Sequence, residues 1–247
     1  MNLGAAWRRT AIRGLATLRP ARVPAALTYH AIVDQGPTFR VGRHDFIAQL
    51  EAIQHAPLIP LAAAVQTPLQ DETLAVTFDD GYLDNYDFAI PACVARGVPV
   101  TLFVAWDALG SPAFRGGLPM MTRDHLRELA ALPGVTIGSH TLSHPKLSRL
   151  PVHDQRRELQ QSKRVLEEWL GSAVDTFCYP FGDHDETTVS LVREAGYRVA
   201  VTTRVGSLRG ADPLRMPRVP VNVFSSPIFH ETITRGYLDY ARLAGKS

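Results

Sequence analysis

Two rhythms of apolar residues alternate along this chain. Short runs of β-forming residues read as buried strands: Ala25 to Tyr29, Leu74 to Phe78, Val98 to Val104, Val135 to Gly138, Val174 to Tyr179 and Tyr197 to Thr202. Between them, apolar residues return every three or four positions, the period of an amphipathic helix. His44 to Ile53 carries Phe46, Leu50 and Ile53 as such a stripe. Asn85 to Ala95 is helical, interrupted or restarted at Pro91 and ended by Gly97. Thr122 caps a helix running through Leu132, with Leu126 and Leu129 facing inward. Val152 to Leu170 is a long charged helix with Leu159, Leu166 and Leu170 as its stripe and Gly171 as its stop. Glu186 to Ala195, ended by Gly196, and Pro227 to Leu243 complete the helices. Arg215 to Val219 is a further strand that Pro217 confines to an edge or an irregular position.

Strand and helix alternate throughout, the order of a parallel sheet with crossover helices. Seven or so such units favour a closed barrel over an open sheet. No internal repeat or interdomain linker breaks residues 23–247, which read as one domain. Residues 1–22 stand apart from it. There Leu3, Trp7, Ala11, Leu15 and Leu18 share one helical face, Arg9 and Arg13 lie opposite, and Arg8 and Arg19 flank it. Such a basic amphipathic segment packs on the domain or rests weakly on an anionic membrane surface, and Gly4 and Gly14 weaken it as a helix.

Composition narrows the partners. The net charge of +2 gives no electrostatic footprint for nucleic acid. Cys93 and Cys178, the two cysteines, sit far apart in apolar surroundings and read as buried free thiols. No signal-peptide core or membrane-spanning run is visible, so the expected location is cytoplasmic, at the inner membrane face if residues 1–22 hold lipid.

Three clusters carry chemistry. Asp79 and Asp80 close the strand Leu74 to Phe78, and Gly81 permits a turn directly after them. Two carboxylates at a buried strand end are costly unless something positive binds them, and a metal ion is the obvious candidate. Next, Gly138-Ser139-His140-Thr141-Leu142-Ser143-His144-Pro145 follows another strand. On a helical turn, its histidines would share one face. Two imidazoles and one carboxylate make a metal site with open positions. Finally, Phe177-Cys178-Tyr179-Pro180-Phe181-Gly182 ends a strand in a tight turn, where a free backbone N–H can serve an oxyanion.

The ordered set Thr77-Phe78-Asp79-Asp80-Gly81, Ser139-His140-Thr141-x-x-His144 and Tyr179-Pro180-Phe181-Gly182 resembles the polysaccharide deacetylase family, carbohydrate esterase family 4 or NodB homology domain, over roughly residues 24–225. The resemblance implies an irregular (β/α)7–8 barrel and metal-dependent removal of N-acetyl groups from amino sugars. By position it makes Asp80, His140 and His144 the ligands of one divalent metal, zinc first, with cobalt, nickel or manganese as alternatives. It makes Asp79 the general base and gives the Phe181 N–H to the oxyanion, with Thr141 beside the ligands. The arginine that many relatives carry at the position of Cys178 is missing, and Arg218 is the candidate to steady the base instead. The late histidine motif is unclear, leaving His230 as a candidate catalytic residue. Tyr82 and Trp106, after strand ends, together with Tyr179, Pro180 and His30, are the candidate sugar contacts. The expected substrate is an N-acylated amino sugar in a glycan or on a lipid carrier. A catalytically inactive glycan-binding module and a non-haem iron oxygenase are the rival readings.

Overall fold

The computed structural model describes residues 23–66 and 68–221. The predicted helix from Pro227 to Leu243, His230 on it, and the segment 1–22 lie outside the described residues. Seven strands form one sheet: β1 (Ala25–Tyr29), β2 (Leu74–Phe78), β3 (Val100–Val104), β4 (Val135–Ser139), β5 (Thr176–Cys178), β6 (Val199–Val201) and β7 (Val219–Pro220). Their order is β6-β5-β4-β3-β2-β1-β7, and every pairing is parallel. The sheet curls into an irregular (β/α) barrel, with one stretch of chain meeting both of its edges. Met216 exchanges backbone hydrogen bonds with Ala200 and Thr202 beside β6, and three residues later Val219 pairs with Leu27 of β1. Arg218 rides on that closing stretch.

Among the described residues, five helices accompany the strands: α1 (Arg43–Ile53), α2 (Ile90–Val94), α3 (Arg123–Ala130), α4 (Val152–Leu170) and α5 (Glu186–Glu194). Alternation along the strands divides the core. Leu27, Tyr29, Val76, Phe78, Leu102 and Val104 pack outward with Phe46, Leu50, Leu126, Leu159 and Leu166 of the helices. Ala26, Ala75, Phe103, Cys178, Val201 and Met216 cluster on the inner side. Gly138 has a packing reason: a Cβ there would stand 2.5 Å from the Phe103 ring, which fills the barrel.

Several boundaries move for identifiable causes. β3 begins at Val100 because Pro99 has no N–H for the ladder. The helix expected from Asn85 opens as a π turn, Asn85–Ala89, before α2. Pro91 cannot supply the α-type bond to the residue four back, which favours this irregular register. Thr122 does cap α3: its hydroxyl accepts the His125 N–H, and His125 Nδ1 accepts the Thr122 N–H. Gly171 ends α4 in a left-handed conformation at φ 69°. Among the described residues, no helix is long and apolar enough to cross a membrane.

Candidate active site

All seven strands point the same way, so the residues after their C-terminal ends gather at one mouth. Asp79 continues the ladder, its N–H bonding to Tyr29 O on β1. Asp80 then turns left-handed, φ 75°, and Gly81 follows at φ 95°. A left-handed aspartate costs on the order of 1–3 kcal/mol and persists where surrounding structure demands it. Here it lets consecutive carboxylates, which a strand would send to opposite faces, both reach the mouth.

His140 and His144 do not lie on a helical turn. The segment after β4 is a loop with Thr141 at φ 70° and His144 at φ 61°. The Thr141 hydroxyl accepts the His144 N–H at 3.0 Å, which pins the second left-handed residue. Glu158, buried on α4, accepts the N–H groups of Leu142 and Ser143 through one oxygen and the Ser143 hydroxyl through the other, at 2.7–3.0 Å. The loop between the two histidines thus hangs on one carboxylate.

This backbone brings the Nε2 atoms of His140 and His144 to 3.5 and 3.2 Å from Asp80 Oδ1, and to 3.2 Å from each other. Nitrogen and oxygen ligands about 2.0–2.1 Å from a zinc ion stand roughly 3.4 Å apart at tetrahedral angles. The donor set therefore fits a metal. Both Asp80 oxygens are buried and neither has a well-aligned hydrogen bond, a costly arrangement that a cation would relieve. His140 Nδ1 lies 2.7 Å from the carbonyl of Cys178. Donation there fixes the tautomer whose Nε2 lone pair faces Asp80, as second-shell partners of metal-bound histidines do. Burial pushes the His144 imidazole below its ordinary range, toward the neutral form that ligation requires.

Asp79 has different surroundings. Arg218 grips it with two bonds of 2.7 Å, Nη1 to Oδ1 and Nη2 to Oδ2. Arg218 is itself buried, and it also donates to the Thr77 hydroxyl and the Thr202 carbonyl. Burial alone would raise the Asp79 pKa, but the Arg218 charge and hydrogen bonds outweigh it, and the carboxyl lies below the usual carboxylate range. Cys178 Sγ sits 3.1 Å from Arg218 Nη2 and 3.6 Å from Asp79 Oδ2. Burial raises its thiol above the ordinary value despite the nearby guanidinium. His30 lines the same spot, its Nε2 3.8 Å from Asp79 Oδ2.

The third cluster forms a turn in which Phe181 is left-handed, φ 60°. Its hydrogen bonds run from the Gly182 N–H to Tyr179 O and from the Asp183 N–H to Pro180 O, and neither uses the Phe181 N–H. The Phe181 ring is exposed and meets the His144 ring edge-on at 4.8 Å.

Four residues expected to contact sugar are packed against protein groups. Tyr82 is fully buried, stacked on Phe39, with its hydroxyl on the Arg115 carbonyl. Tyr179 is fully buried and donates to the Leu214 carbonyl, and Pro180 is buried in the turn. Trp106 turns toward the helices, against Trp169 of α4 and the guanidinium of Arg123. Standing after a strand end says nothing of which way a ring points once the chain has turned. Two residues at the site carry little signal in the sequence. Glu158 was masked by the charged run around it, although Gln155, Glu158 and Ser162 are in phase with the buried stripe of Leu159 and Leu166. Arg115, 4.0 Å from Asp80, comes from a loop with no periodic signal.

Comparison with known proteins agrees with this architecture. Over 198 residues the chain is 29% identical to a Bacillus subtilis protein named as a polysaccharide deacetylase, YxkH, covering 77% of this chain and 68% of that one. Its fold is similar to that of IcaB from Ammonifex degensii, with a TM-score of 0.77, 23% identity and coverage of 88% and 99% of the two chains. The Streptococcus pyogenes deacetylase PplD, solved with acetate, superposes with a TM-score of 0.72 at 23% identity, over 87% of this chain and 99% of that one. The sequence pattern of the family described as Polysaccharide deacetylase matches residues 66–200, more than half of the chain. The chain belongs to the polysaccharide deacetylase family.

Proposed function

We propose that this protein hydrolyses N-acyl groups, acetyl first among them, from amino sugars of a polysaccharide or cell-envelope glycan. One divalent metal would be held by Asp80, His140 and His144. One observation carries the reading: two adjacent carboxylates have different partners, Asp80 facing two imidazole nitrogens and Asp79 gripped by Arg218. Two histidines and a carboxylate suit zinc, and also cobalt, nickel or manganese. Bound there, such an ion supplies Lewis-acid polarisation of the acyl carbonyl and a water acidic enough to attack near neutral pH. Asp79 accepts the proton of the attacking water. Arg218 keeps that carboxylate ionised and fixed in direction. The Phe181 N–H donates to the carbonyl oxygen as it gains charge. The C–N bond then breaks as the leaving nitrogen takes from Asp79 the proton that came from the water. A carboxylic acid and a free amine result.

The test is a panel of N-acetylated oligosaccharides and lipid-linked amino sugars, scored for released acid and free amine. Metal-loaded wild type should yield the two products in equal amounts. Asp79→Asn should lose on the order of 10²-fold or more in kcat while keeping its metal. Sugar retention without any acid release would instead assign a glycan-binding module. Turnover that needs iron and dioxygen would assign an oxygenase.

A further inference from the structure

One feature of the mouth is not used by hydrolysis itself. The exposed Phe181 ring carries two cations: the Arg115 guanidinium 4.5 Å from its centroid and the Lys146 ammonium 5.3 Å away. Both come from segments fixed in place. Arg115 belongs to the loop after β3, where the Tyr82 hydroxyl bonds its carbonyl and a bridge joins Tyr82 to Met120. Lys146 stands two residues after His144, before a short turn at Leu147–Arg149. Among the described residues, Lys146 makes no ion pair, and the acid within reach of Arg115 is Asp80, at 4.0 Å. Asp183, on the same turn as Phe181, is already satisfied by the Ser148 N–H and hydroxyl. Asp79 is taken by Arg218, so among the described residues Asp80 is the one acid paired with either rim cation, and a bound metal would compete for it.

A site for a wholly neutral glycan has no need of that excess charge so close to its reacting centre. We propose that Arg115, Lys146 and Phe181 form a subsite for an acidic substituent, a carboxylate or a phosphate, carried beside the acylated amine of the substrate. The inference rests on the deacylase reading and narrows its substrate class. Phe181 holds the two cations at the mouth through its ring. Arg115 offers a planar fork that matches two oxygens of the anion, and Lys146 adds a point charge.

The experiment measures binding and turnover separately. Metal-loaded Asp79→Asn protein is titrated with three N-acetylated trisaccharides that differ in one group: neutral, with a carboxylate on the neighbouring sugar, or with a phosphate there. The acidic ligands should bind about tenfold tighter than the neutral one, as expected for a charge-assisted contact. The advantage should shrink with added salt. Which acidic arm is stronger identifies the group. Adding Arg115→Gln and Lys146→Gln should erase the advantage, with circular dichroism and metal content confirming a folded, loaded protein. Equal binding of all three ligands, or an advantage that survives both substitutions, overturns the subsite. Release of acid by wild type is scored in parallel. Preference for acidic ligands without acid release leaves the subsite standing and sinks the deacylase reading. Acid release with no preference does the reverse.

Discussion

Arg218 and Asp79, 139 residues apart, meet in a two-pronged ion pair with both bonds at 2.7 Å. The pair is buried, and its arginine comes from the stretch that joins the two edges of the sheet. Closure of the barrel and orientation of the proposed base therefore share one residue. Removing one partner of such a pair leaves an uncompensated buried charge, a loss on the order of 3–5 kcal/mol.

Arg218→Gln should consequently lower the melting temperature and kcat together. The direction of the pH effect is fixed by the forces on Asp79. Burial raises its pKa and Arg218 lowers it, so without the guanidinium the carboxyl must titrate at higher pH. The acid limb of the kcat/KM profile should move to higher pH relative to wild type. A variant that loses activity evenly at every pH would show that Arg218 serves the fold and not the base.

Cys178 completes the same arrangement. Its small side chain stands 3.1 Å from Arg218, where the resembled family pattern carries an arginine. Cys178→Ser should keep substantial activity, because the buried thiol, raised in pKa, has no nucleophilic part to play. Cys178→Arg should fold poorly, since two guanidinium groups would crowd one carboxylate. Combining it with Arg218→Gln should recover stability relative to Cys178→Arg alone, a coupling that a double-mutant cycle measures directly. Additive losses would mean the two positions do not exchange roles.

The proposed ligands and the proposed base should separate cleanly in metal content. His144→Ala removes one of three converging donor atoms and should lower bound metal to a small fraction of wild type. Asp79→Asn touches none of the three and should leave it unchanged. Elemental analysis of the purified proteins decides the matter. Equal metal in wild type and His144→Ala would reject the trio, and loss of metal in Asp79→Asn would reverse the roles of Asp79 and Asp80.

Much of this site is legible in the sequence because strand ends in a parallel barrel converge whatever the intervening helices do. Leu74 to Phe78 announces a buried strand, so the acids after it must lie at the mouth. Backbone conformation is harder to read. Thr141 and His144 are left-handed without being glycine, so nothing in their identity separates a loop from the helical turn that their spacing suggests. Directions of side chains after a turn are equally hidden, which is why Tyr82 and Tyr179 prove to be core. The pairing of Asp79 with Arg218 depends on how the sheet closes. Glu158 escapes because a charged residue on a charged helix looks solvated unless its phase is compared with the apolar stripe.

Glu158 supports the last prediction. It touches neither histidine, yet it accepts three hydrogen bonds from two of the three residues between them. The left-handed turns at Thr141 and His144 are intrinsically unfavourable, so the loop needs outside support to hold its imidazoles in place. Glu158→Gln keeps the shape but replaces one acceptor oxygen with an NH2 group, setting donor against donor at a buried position. The histidines would then sample wrong directions, and metal affinity should fall about 10- to 100-fold, the usual range for lost supporting contacts around a metal site. Competition against a chelator measures that affinity without reference to turnover. Excess metal should restore much of the lost kcat, because the ligands themselves remain. If Glu158→Gln lowers the melting temperature but binds metal as tightly as wild type, Glu158 is a structural residue of α4, and the histidine loop is held by the Thr141 hydroxyl and the strand end alone.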